Sequence, residues 1–313
     1  MTNRTTCIYH ANCADGFTAA YVVWCALGGK VKYIPAAYGD PLPDVSGQDV
    51  ILVDFSYKRP QMLELAAAAR TVLVLDHHDT AERELTGFPP PFNPIASESL
   101  WMAHTDAVAV KAYAGEPACQ FDMSRSGAQL AWDFFNPQLP RPQLIEYVAD
   151  RDLWRFDLPD SHAVSAFIGS HDFDFGEWHS LSNMLEDARL RHYAARNGYA
   201  IDRAKSKMMR DLVAASRRDM VIGGRVVPVA NLPFVMASEG GHLMARGEDF
   251  AATYFDQKDG SRKFSLRSQG AINVGEIAEA YGGGGHPRAA GFTMPKGWEG
   301  DCPVEEVLEA AGF

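Results

Sequence analysis

Three short runs, TTCIY (Thr5–Tyr9), DVILVD (Asp49–Asp54) and TVLVL (Thr71–Leu75), are apolar or β-branched through their interiors. A strand wetted on one face alternates apolar and polar residues, so an uninterrupted apolar run requires cover on both faces. A parallel sheet with crossover helices meets that demand. The intervening sequence agrees. After the first run, Ala19, Ala20, Val23 and Leu27 recur at helical spacing. VKYIP (Val31–Pro35) reads as a second, shorter strand, and Pro60 is placed at the N1 position of a helix reaching Arg70. The first part of the chain is therefore expected to be α/β with a parallel sheet.

Farther along, the pattern from about Glu98 to Ala149 is mainly helical, including SGAQLAWDFF (Ser126–Phe135) and PQLIEYVA (Pro142–Ala149). Residues Glu186–Arg218 read as one long helix or a pair broken at Gly198, and the domain connection is placed there. Beyond it the texture changes to hairpins around Gly223-Gly224 and Asp259-Gly260, with helices in SEGGHLMAR and INVGEIAEAY. The expectation is an N-terminal catalytic domain over residues 1–185, a helical linker over 186–218, and a smaller α/β C-terminal domain over 219–313. A length of 313 residues suits two domains.

Net charge is −11, which argues against broad binding to a nucleic-acid duplex but allows a small basic pocket for a short phosphorylated ligand. No apolar run approaches the ~18 residues of a membrane span. The N-terminus lacks the apolar core of a signal peptide, and the five cysteines are scattered, so a cytoplasmic location is expected.

Acidic residues and histidines gather where the strands end. The first strand leads into HANCADG, with His10 and Asp15; the third ends at Asp54; the fourth ends at Asp76, His77 and His78. Ligands of open parallel sheets bind beyond the carboxyl ends of the strands, so these clusters can converge. YVADRDLW adds Asp150 and Asp152 after a helical stretch. A lone aspartate in such a place is more often a cap or turn residue than a ligand, but four clusters at one edge point to a metal site. Mixed carboxylate and imidazole donors suit manganese. They outnumber the needs of one ion, and two ions about 3.5–4 Å apart can share a carboxylate and hold a hydroxide for in-line attack on phosphorus.

The second domain carries GGGGHPRAAGF (Gly282–Phe292). A backbone through Gly283, Gly284 and Gly285 can approach an anion closely, and His286 and Arg288 can add charged hydrogen bonds. Arg267, in SLRS, is a candidate helper.

Taken together, YHANCADGFTAAY, VDFSY, LDHHDTAE and VADRDLW, followed by GGGGHPRAAGF, resemble the motif series of the DHH phosphoesterase superfamily. The resemblance is to the branch with the DHH-associated C-terminal domain, which includes oligonucleotide-degrading phosphodiesterases. It implies an active cleft between two domains and a two-manganese centre in the first, with magnesium or cobalt as substitutes. By position, His10, Asp15, Asp54, Asp76, His77 and Asp150 are the implied metal ligands, with Asp54 bridging the ions. The implied catalytic set is His77, His78 and Asp54, with His78 facing substrate phosphate. The glycine loop, His286 and Arg288 would hold the substrate's terminal nucleotide or phosphate. In one departure, Asn12 stands where the first motif usually has a second aspartate, which puts the metal count in question.

The implied activity is manganese-dependent hydrolysis of phosphodiester bonds in short oligonucleotides or small dinucleotides, by a chain with no membrane partner and room for a homodimer. Two alternatives remain: a phosphatase for polyphosphate or nucleotide monophosphates, and a non-catalytic nucleotide sensor. Pyrophosphatases of the superfamily carry a different C-terminal domain, so GGGGHPRAAGF argues against that branch.

Overall fold

A computed structural model describes residues 5–91 and 115–310. The chain forms two compact units, Met1–Asp202 and Arg203–Phe313.

In the first unit, β1 (Thr5–His10), β2 (Val31–Ala36), β3 (Asp49–Val53), β4 (Thr71–Asp76) and β5 (Ala118–Phe121) form a parallel sheet in the order β2-β1-β3-β4-β5. The apolar strands are buried on both sides. Cys7, Ile51, Val53, Leu73 and Leu75 face a core shared with the helices Ala14–Leu27 and Gly127–Phe135. Ile8, Val50, Leu52, Val72 and Val74 face the other, filled by Met62 and Leu65 of helix Arg59–Ala68. Pro60 is the second residue of that helix rather than the first, and the helix stops two residues short of Arg70. β5 lies within the stretch expected to be mainly helical; four residues are too few to show a strand period. The part of that stretch before residue 115 lies outside the described residues.

Strand order and register determine where function can sit. From β1 the chain passes to β2 on one side and then to β3 on the other, so the β1/β3 border is the topological switch point, where open sheets form their ligand crevice. Tyr9 pairs with Val53, and Val53 with Leu75. The next residues, His10, Asp54 and Asp76, therefore stand in one row across that border.

A helical layer, including Gln143–Asp152, Ser161–Ile168 and Phe175–Glu186, packs Tyr147, Val164, Trp178 and Leu181 against Phe17 and Tyr21. The helix Ala188–Ser216 runs unbroken through Gly198. A Cβ at Gly198 would lie 1.8 Å from the carbonyl oxygen of Ala163, so this glycine serves close helix contact and not a break. Gly→Ala in a helix ordinarily stabilises by about 0.5–1 kcal/mol. Here Gly198→Ala is expected to destabilise by about 1–3 kcal/mol, as overpacking does. Urea unfolding of the variant against wild type checks the sign.

In the second unit, β6 (Arg218–Ile222), β7 (Arg225–Asn231), β8 (Ala251–Asp256), β9 (Arg262–Arg267), β10 (Gly284–His286) and β11 (Ala289–Met294) form a sheet in the order β10-β11-β9-β8-β7-β6. All its pairings are antiparallel except β7 with β8. Gly223 and Gly224, both at positive φ, close the β6–β7 hairpin as a two-residue turn requires. No helix among the described residues is long and apolar enough to cross a membrane.

Candidate metal centre

His10 is the last residue of β1, and after a short turn Asp15 lies in the first turn of helix Ala14–Leu27. That helix starts hard against the strand: a Cβ at Gly16 would lie 2.4 Å from the His10 carbonyl oxygen. Asn12, in the turn, is exposed with φ of 56°, a left-handed conformation that asparagine tolerates well. Its place has a backbone reason.

The Asp15 carboxylate accepts hydrogen bonds from the backbone N–H groups of Gly127 (2.6 Å) and Ala128 (3.1 Å). These open the helix Gly127–Phe135, whose capping box pairs Ser126 with Gln129. The orphan donors and positive end of the helix thus fix a carboxylate held 112 residues away in sequence.

Asp54 follows β3 in a left-handed conformation (φ 54°), an uncommon state for a non-glycine residue and one that clusters at functional sites. Its carboxylate is 1% exposed, and neither oxygen has a satisfactory hydrogen-bond partner. What faces them is imidazole: His77 Nε2 lies 3.1 Å from Oδ1 and His10 Nδ1 lies 3.6 Å from Oδ2. His77 Nε2 is also 3.8 Å from Asp15 and 3.5 Å from Asp152. Among the described residues, two groups of potential ligand atoms include Asp54, each spanning at most 4.8 Å: Asp15–Asp54–His77 and His10–Asp54–His78. Asp54 belongs to both.

Two acidic residues named from sequence point elsewhere. Asp76 is fully buried and accepts from the His77 N–H (2.7 Å), the His78 N–H (3.3 Å), His78 Nδ1 (2.7 Å) and the Ser56 hydroxyl (3.0 Å). Its Oδ1 holds the two histidines, and its Oδ2 accepts from Ser56. Asp150 accepts from the Asp157 N–H (2.9 Å), the Leu158 N–H (3.2 Å) and the Ser161 hydroxyl (2.5 Å). It ties together the loop between two helices, and Asp152, two positions on, is the residue brought to His77.

Burial, then Asp54 and Asp152, push the Asp15 carboxyl well above its usual range. Burial also acts to raise Asp54, but His10 and His77 overcome it and hold that carboxyl below the carboxylate range. Against a burial penalty of opposite sign, Asp54, Asp152 and Asp15 push His77 up to about 10. Clustered buried carboxylates with unsatisfied oxygens and facing imidazoles are a donor set that a divalent cation completes. The residues fit such an ion.

Sequence reasoning also passed over Gly127. A Cβ there would lie 2.4 Å from Asp54 Cβ and 3.0 Å from Asp15 Oδ2, so only glycine lets the helix start reach both aspartates. The capping-box spacing, Ser126 to Gln129, was its available signal.

In the second unit, Gly284–His286 is not an open loop but strand β10, paired with β11. Added Cβ atoms would lie 2.0 Å from the Gly291 carbonyl oxygen at Gly283 and 2.6 Å from Ala290 Cα at Gly285. Close passage of two strands accounts for these glycines. Arg288 is exposed just past β10, and Arg267 donates to the Ser238 hydroxyl at 2.6 Å.

The first unit is thus of the class in which a parallel sheet carries an aspartate–histidine centre at its switch point. Residues 237–311 match the DHHA1 domain family. The fold is similar to that of a DHH domain from a protein described as a member of a family of ribosomal proteins, with a TM-score of 0.50, 15% identity, and 99% of this chain and 86% of that one covered. The C-terminal unit thus carries a DHHA1 domain, and the fold of the chain is that of a DHH-domain protein. The chain is also 26% identical to the uncharacterized protein R106 of Acanthamoeba polyphaga mimivirus, over 96% of this chain and 69% of that protein. RecJ from Thermus thermophilus in complex with Mn2+ superposes more loosely, with a TM-score of 0.44, 16% identity, and 99% of this chain and 52% of that one covered.

Proposed function

We propose that the chain is a metal-dependent phosphodiesterase acting on short oligonucleotides or small dinucleotides, with manganese as its metal. The observation that carries this reading is Asp54, a buried carboxylate without a satisfactory hydrogen-bond partner that is common to two groups of ligand atoms. One group suits one ion, and the shared carboxylate suits a pair of ions. Bound there, divalent ions supply Lewis acidity toward a phosphoryl oxygen and neutralise charge as water attacks phosphorus.

The chain's own residues do the rest. His10, Asp15, Asp54, His77 and Asp152 hold the ions. Asp76 fixes the orientation of His78 through Nδ1, so Nε2 is the nitrogen that reaches a ligand or a phosphoryl oxygen. Water adds to phosphorus, the bond to the leaving oxygen breaks, and the products are a nucleotide and an alcohol. Exposed Arg288 and neighbouring His286 are proposed to bind the substrate's anionic end. The acidic chain favours short substrates, and five free cysteines fit a reducing cytoplasm.

The test is hydrolysis of labelled di- to pentanucleotides, long single strands and polyphosphate with manganese, before and after chelation. Metal-dependent turnover of the short nucleotides alone is expected. Turnover of polyphosphate alone transfers the site to a phosphatase, and no turnover of any removes the enzymatic reading.

Asp150 and Asp152 are expected to separate cleanly. Asp152→Asn reduces turnover at least about tenfold, as loss of a positioned charge does, while the melting temperature holds or rises because like-charge crowding is relieved. Asp150→Asn removes a charged acceptor from two backbone donors and costs about 1–3 kcal/mol of stability. Paired melting curves and rates on the two variants check both.

A further inference from the structure

Tyr38 is a large aromatic residue placed where packing does not explain it. It is 51% exposed, and its hydroxyl makes no hydrogen bond among the described residues. Its ring lies 5.9 Å from that of His10, 6.3 Å from that of His78 and 5.2 Å from that of Phe55. His10 and His78 are two members of one ligand group, so this half-exposed residue stands beside the centre.

The backbone presents it firmly. β2 is tied to the residue after His10 by the Ala11 N–H to Ala36 carbonyl bond (2.8 Å). The turn that follows is closed twice: the Asp40 N–H donates to the Ala37 carbonyl (3.1 Å), and the Ala37 N–H donates to the Asp40 carboxylate (2.8 Å). Gly39, at φ of 101°, supplies the left-handed position such a turn needs, which leaves Tyr38 at its corner. Phe55, fully buried, supports the ring from the sheet side.

A half-exposed aromatic residue on a closed turn beside a phosphoester site suits a planar ring carried by that phosphoester. We propose that Tyr38 stacks on a nucleobase of the substrate and so sets the preference for nucleotides over simpler phosphoesters. This rests on the phosphodiesterase reading above. Base stacking on an aromatic tolerates any base, because every base offers a π-face. It therefore selects for the presence of a base and not for its identity.

The test uses the dinucleotide pApA and its two analogues in which one or the other adenine is replaced by hydrogen. Tyr38→Ala and Tyr38→Leu are expected to raise KM for pApA about tenfold, within the range of a lost base stack, with kcat within about twofold. Tyr38→Phe stays near wild type. On one of the two abasic analogues, wild type and Tyr38→Ala become equal. A KM for pApA unchanged in Tyr38→Ala, or a loss that persists on both analogues, overturns the proposal. Affinities measured with calcium replacing manganese keep the two ideas apart. If wild type binds pApA with calcium yet shows no turnover with manganese, the phosphodiesterase reading falls, while stacking is judged by whether Tyr38→Ala weakens pApA and spares one analogue. Absence of binding overturns stacking as well.

Discussion

Asp54→Ala is expected to reduce manganese-dependent hydrolysis by about a thousandfold or more, the scale on which preorganised charge at a reacting centre acts. Calorimetric titration should show the loss of manganese binding at both groups, since Asp54 belongs to each. Folding should survive. The removed side chain is small, its oxygens make no satisfactory hydrogen bonds, and its charge crowds Asp15 and Asp152. The metal-free variant should fold but melt below wild type, since relief of that crowding is outweighed by the loss of the carboxylate paired with His77 and His10. Rates within about tenfold of wild type, or intact binding of two ions, would show that Asp54 is not the shared ligand.

Gly127→Ala should do nearly as much harm with a single methyl group. The new Cβ would lie 2.4 Å from Asp54 Cβ and 2.9 Å from Asp54 Cα, which is backbone and cannot swing aside. Either the helix start retreats, withdrawing the N–H groups of Gly127 and Ala128 from Asp15, or Asp54 is displaced. Overpacking of this kind costs about 1–3 kcal/mol. A displacement near 1 Å at a reacting centre costs about a hundredfold in rate. Gly29→Ala, where an added Cβ meets nothing within 4 Å, is the control and should leave both rate and stability in place. If Gly127→Ala matched that control, the contact between the helix and the metal centre would be mistaken.

The sheet was legible because burial on both faces leaves its mark residue by residue in Ile8, Val50–Val53 and Val72–Leu75. The convergence of His10, Asp54 and His77 was legible too, since parallel strands in register must end at one edge. The choice between Asp150 and Asp152 was not. Two residues apart on a helix, they project about 200° apart, and only the packing of that helix decides which one faces the sheet. Asp76 looked like a ligand because its residue type is right; that its oxygens are spent on His77, His78 and Ser56 is a fact of tertiary contact. Gly198 invited a local explanation, a break, whereas it serves a close approach by the distant Ala163, and Gly283 and Gly285 serve the close passage of the neighbouring strand β11.

The bond from Gly127 to Asp15 joins residues 112 apart in the chain. Contacts of such long range carry a larger loop-closure cost than the pairing of β1 to β4, and this one is expected to close after them. Until then Asp15 and Asp54 crowd each other at the rim of a nearly finished sheet, without the helix end that fixes one of them. A divalent ion in the refolding buffer would relieve that repulsion at the step where it matters most. The metal would thus speed the closing of its own binding site, and refolding rates with and without manganese should diverge even under conditions where no substrate is ever turned over.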